Sequence, residues 1–82
     1  MKKTNELKKG DRVELRNGWL ATLEDNLKGN IRMATVEGLV TETGSIYAHD
    51  ILFYLEGNEW KRVEHTPAQL KCKQRVERFG FC

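Results

Sequence analysis

Between residues 12 and 65, apolar and polar positions form short runs with the period of two that gives a strand one wet and one dry face. After residue 66 the period lengthens to that of a helix. Arg12-Val13-Glu14-Leu15-Arg16 is the first run, with Gly10-Asp11 as punctuation before it. Asn17-Gly18 follows, a strong hairpin signal because a tight two-residue turn needs positive φ and these residues tolerate it best. A two-residue loop sets Leu15 opposite Leu20 and Val13 opposite Thr22. It turns Trp19, Ala21 and Leu23 to the face of Arg16, Glu14 and Arg12. A three-residue loop or a bulge reverses the parity and buries Trp19, Ala21 and Leu23 instead.

Residues 24–30 are rich in turn formers and read as an exposed loop. The run from Ile31 to Val40 is the longest strand candidate, with Gly38 marking a bulge or sharp bend. Thr41-Glu42-Thr43-Gly44 reads as a turn and Ser45–His49 as a short strand. Ile51–Leu55 is apolar throughout, and Glu56–Glu59 turns the chain into Trp60–His65, so that Leu52 faces Val63 and Leu55 faces Trp60.

The helix begins at a capping box, with Thr66 as cap, Pro67 in the first helical position and Gln69 three residues after the cap. From there Ala68, Cys72, Val76 and Phe79 form an apolar stripe, and Gly80 is a natural stop, predicting a helix over 67–79. The fold expected is mainly β, a small SH3-like barrel of five to six short antiparallel strands with a C-terminal helix. Residues 1–9 form a charged lead-in, in which Leu7 is the one residue that can lid the first strand. Residues 10–65 form the barrel, and residues 66–82 are the helical segment packed on it.

At 82 residues the chain is one thin-cored domain, which argues against a deep closed cavity. The net charge of +2 is unevenly spread. Residues 1–16 carry six basic and three acidic side chains, residues 17–65 four and eight, and residues 66–82 four and one. Cys72 and Cys82 are too few for a disulfide framework and read as free thiols. With a polar N-terminus and no apolar run of membrane length, they point to the cytoplasm.

Little chemistry is encoded locally. Ser45, His49 and Asp50 are close in sequence, but on an extended strand Ser45 and His49 lie about 13 Å apart. His49, His65, Cys72 and Cys82 lack the paired spacing of zinc ligands, and no phosphate-binding glycine motif occurs. No enzymatic activity, metal or cofactor is expected. Macromolecule binding is the positive reading. Trp19 beside Arg12 and Arg16 would make a stacking platform if the two-residue turn holds, and Lys71, Lys73, Arg75 and Arg78 would meet phosphates. The acidic middle segment opposes that. For a protein partner the candidate lining is Tyr47, Phe53, Tyr54 and Trp60.

The run Leu7-Lys8-Lys9-Gly10-Asp11-Arg12-Val13, followed by Asn17-Gly18-Trp19 and Ala21-Thr22-Leu23, resembles the start of small SH3-like barrels of the KOW and Tudor kind. Gly44–Ile51 is similar to their late strands, which commonly end in a short helical turn. The glycine that KOW motifs carry soon after the hairpin is missing between Trp19 and Leu23. The layout is also similar to that of bacterial, plasmid or phage accessory proteins. The resemblance implies contact with RNA or with the transcription or translation machinery. The near-neutral charge favours a protein-binding accessory or regulatory module, with nucleic-acid binding as the alternative.

Overall fold

The structure is a computed structural model that describes all 82 residues. Seven strands form one mixed sheet: β1 (Lys2–Lys3), β2 (Arg12–Leu15), β3 (Leu20–Leu23), β4 (Ile31–Glu37), β5 (Thr41–Tyr47), β6 (Ile51–Glu56) and β7 (Glu59–Glu64). A helix, α1 (Pro67–Phe79), follows. The spatial order is β1-β7-β6-β2-β3-β4-β5, so β1 and β5 are the two edges and the sheet is open between them. All pairings are antiparallel except β1 with β7, which is parallel through Lys2 with Val63 and Lys3 with Glu64. That short parallel strand is the one beyond the expected five or six. No helix is long and apolar enough to cross a membrane.

The first hairpin takes the three-residue register. Val13 faces Ala21 and Glu14 faces Leu20, Gly18 has φ 87°, and the Leu15 N–H donates to the Trp19 carbonyl at 2.8 Å. This is a turn closed by a left-handed glycine. It turns Val13, Leu15, Ala21 and Leu23 inward, where they join Leu7, Ala34, Ile51, Tyr54 and Val63 in the core. Leu7 thus lids the first strand. In the β6–β7 register Leu55 lies opposite Trp60, as expected.

The middle of the chain departs from the expected boundaries. Thr41–Gly44 is strand, and the reversal lies at residues 38–40. Threonine favours a pleated surface, and the Thr35 and Thr43 hydroxyls meet at 2.9 Å across the pair. Gly38 is therefore not a bulge within a long strand. It sits at the turn, where a side chain would overlap the indole of Trp19. The register shift falls elsewhere: β2 pairs Glu14 with Phe53 but Leu15 with Ile51. His49 leaves the strand and lies in a single 3-10 turn, Ala48–Asp50.

The helix has the expected bounds and capping box. Its packed face is turned by one residue. Gln69 and Cys72 are buried and Val76 half-buried, whereas Ala68 and Phe79 are exposed. Gln69 draws that face inward because its amide is fully used. Its Nε2 donates to Asn5 Oδ1 and to the Gly29 carbonyl, and its Oε1 accepts from the Thr66 N–H and the Thr4 hydroxyl. Cys72 and Cys82 are not free thiols; they are joined as a disulfide with Cα atoms 5.1 Å apart. Gly80, with φ 84°, folds the tail back along the helix and brings together residues whose spacing alone shows no pairing. The cysteines therefore lend no support to a reducing compartment.

Candidate functional site: a groove along the β5 edge

The segment that follows β1 is tied by polar bonds to Arg32 of β4. Arg32 is 1 % exposed. Its Nε meets Asp25 Oδ1 at 2.7 Å, and its terminal nitrogens donate to the carbonyls of Thr4, Leu7 and Asp25 at 2.9–3.0 Å. Desolvation pushes the Asp25 carboxyl up. The Arg32 bond and charge, with the N–H groups of Met33 and Leu27, outweigh it and hold the carboxyl below its ordinary value. These donors and acceptors serve the fold, while in the adjoining loop the buried Asn30 Oδ1 has no hydrogen-bond partner.

The β5 edge holds a groove of about 890 Å³. Its floor and apolar walls come from Leu15, Ile31, Val36 and Ile46, with Trp19 and Tyr47 as aromatic walls. Arg16 and Asn17 of the first hairpin turn form one bank, and Glu42, Gly44 and Ser45 of β5 form the other. Trp19 is 42 % exposed; glycine at position 38 makes room for its ring.

Arg16 ties the groove together. Its backbone N–H donates to the Asp50 carbonyl at 2.8 Å, its Nη2 to the His49 carbonyl at 3.0 Å, and its Nε lies 3.2 Å from Asp50 Oδ1. His49 is buried behind this pair and stacks on Tyr47, with ring centroids 4.9 Å apart. Neither of its ring nitrogens has a hydrogen-bond partner, although Nδ1 lies 3.3 Å from Asp50 Oδ1. Burial lowers its affinity for a proton. Asp50 pulls that affinity up, Arg16 and His65 push it down, and the net shift is downward. Of the three charged side chains in the groove, Arg16 is neutralised by Asp50, and Glu42 makes no ion pair.

The residues singled out from sequence fall in separate places. Arg16, Trp19 and Tyr47 share the groove. Arg12 does not join them: it lies on the other face, bonded to Thr22 and Glu37. The three-residue turn that sends Trp19 inward is the reason, so the Trp19–Arg12 platform does not form. Trp60 is on β7, 41 % exposed, opposite Leu55, while Phe53 lies under Arg62 and Tyr54 is core. Lys71, Arg75 and Arg78, at i, i+4 and i+7, share one helix face, and Lys73 lies on another.

Sequence reasoning missed Glu42 and Gly44 as groove residues because Thr41–Gly44 resembled a turn, and it gave Ile46 and Asp50 no role in a site. A lone glycine inside a β-branched run was the available signal. Of the other candidates, Ser45 Oγ donates to Met33 Sδ and His65 Nε2 lies 2.8 Å from the Ile51 carbonyl. Comparison with protein-family models, curated proteins and solved structures finds no match for this chain.

Proposed function

We propose that the chain is a small SH3-like barrel that works without catalysis, as an accessory or regulatory module holding a protein partner in the groove between Trp19 and Tyr47. The connectivity supports the fold reading. Strands β2 to β5 run as a meander, one 3-10 turn follows, and β6 returns to pair with β2. That helical turn sits where the resemblance to KOW and Tudor barrels implied one. The observation that carries the functional reading is the groove's composition: two aromatic walls, an apolar floor, and a single cation already bound to a carboxylate. Such a site suits an apolar or basic peptide segment better than a phosphate backbone.

Nucleic acid is the second reading, favoured by the Lys71, Arg75 and Arg78 face of α1, which makes no ion pairs. Salt separates the two. Binding of mixed single- and double-stranded nucleic acid through several phosphates falls steeply between about 50 and 200 mM salt. The groove reading expects no such binding. It expects Trp19→Ala, with its circular dichroism unchanged, to lose the protein partner. Retention of the partner by that variant would turn attention to α1.

A further inference from the structure

We infer that the groove takes its partner as an added β-strand: an extended segment, not already part of a sheet, that pairs with the free edge of β5 and offers a basic side chain to Glu42. This rests on the groove being a protein-binding site and adds the mode of binding and the chemistry of the ligand.

The place of the lining carries the inference. Glu42, Gly44, Ser45, Ile46 and Tyr47 of β5 all line this groove, and β5 is the last strand of the sheet, paired with β4 alone. The main-chain N–H and C=O groups of β5 that face away from β4 are paired by no other strand.

The edge carries a single guard. Proteins blunt exposed edges with lysine and other charges, inward-pointing ones included, and with proline, bulges or short length. Strand β5 is seven residues long, pairs in continuous register with β4 from Thr41 to Tyr47, and contains neither lysine nor proline. Its one charge is Glu42.

The opposite bank limits what can dock. An incoming strand would have β5 on one side and the Arg16-Asn17 turn, pinned to Asp50, on the other. A strand that already belongs to a sheet would bring its neighbour into that turn, whereas a single extended segment would not. Glu42 and Gly44, two residues apart, share the face of β5 that Val36 and Ala34 occupy on β4. At Gly44 a Cβ would meet nothing within 4 Å. The ligand pattern that follows is a basic residue facing Glu42 and, two positions away, a large apolar residue filling the space over Gly44 between the aromatic walls.

The test uses the full chain and a random octapeptide library displayed on phage, counter-selected on Gly44→Trp. That variant fills the groove from a position where a side chain meets open space, and Gly44→Val is a milder second variant. Selected peptides are remade with the main chain N-methylated at odd or at even positions. Strand addition predicts peptides with a basic and an apolar residue spaced by two. It also predicts that one methylated register loses roughly tenfold or more in affinity, since a few main-chain hydrogen bonds are removed, while the other register binds as the parent does. Replacing the basic residue by Glu should weaken binding further.

Peptides excluded by Gly44→Trp but indifferent to both methylated registers would overturn strand addition and leave the groove reading standing. If no peptide is enriched, or if Gly44→Trp and Gly44→Val bind the peptides as well as wild type, both readings fail. A dimer of the chain in sedimentation equilibrium that Gly44→Trp dissolves would assign the edge to a second copy and overturn the proposal.

Discussion

The two edges of the sheet are built in opposite ways. The β1 edge is two residues long, both of them lysine, and the residues that follow it, Thr4 to Leu7, are held by Arg32 of β4, itself paired with Asp25, and by Gln69 of α1. The β5 edge is seven residues of threonine, glutamate, glycine, serine and apolar side chains beside an open groove. A lightly guarded edge invites pairing, and this small chain blunts one edge with shortness and lysine while leaving the other only Glu42. The lesson is that the polar groups buried after β1 hold the fold, whereas under our proposal the groups exposed along β5 meet a ligand.

The comparison breaks most sharply on stability. Arg32→Met removes the guanidinium that pairs Asp25 and satisfies three carbonyls, and should cost about 3–5 kcal/mol in urea denaturation. Gly44→Val, at the β5 edge, should change stability by no more than about 0.5 kcal/mol. Similar losses from both would mean that the β5 edge is structural after all.

Acid separates the same two regions by pH window. The folded-state affinity of His49 for a proton is below its ordinary value of 6.5, so the unfolded chain binds that proton first. The stability that neutral His49 contributes is therefore present above 6.5 and is lost as pH falls below it towards the folded value. Asp25, depressed from 3.8, contributes stability above that value and loses it only in stronger acid. Thermal melts as a function of pH should show two declines, the upper one abolished by His49→Phe and the lower one by Asp25→Asn. A single decline, untouched by His49→Phe, would remove the groove end from the account.

A smaller effect is expected from Gly38→Ala, whose methyl would overlap the Trp19 ring. The indole must move, at about 1–3 kcal/mol, and in a Trp60→Phe background the fluorescence of Trp19 should shift. An unchanged spectrum would show that the ring does not rest on Gly38.

Much of the β6–β7 hairpin and the helix was legible in the sequence, because their signals are local. Thr66-Pro67 with Gln69 capped the helix where expected, Gly80 ended it, and the Leu55–Trp60 pairing of β6 and β7 followed from the Glu56–Glu59 turn. The groove was half legible. Trp19 and Tyr47 stood out as aromatics, but whether Trp19 points inward depends on one residue of turn length that Asn17-Gly18 permits either way. Thr41–Gly44 misled for a similar reason: threonine and glycine are turn formers, and only pairing with β4 makes them a strand. The Cys72–Cys82 bridge and the inward rotation of Gln69 depend on contacts between residues remote in the fold or across a chain reversal, which periodicity does not register.

The most direct test is an amide NMR titration of the intact chain with a groove-selected peptide. The account predicts that shifts and new exchange protection fall on residues 41–47, with the Trp19 indole N–H and Arg16 moving as well, while Lys2, Lys3 and the Lys71–Arg78 face stay unchanged. Shifts concentrated on α1 or on the β1 edge, with β5 silent, would contradict it.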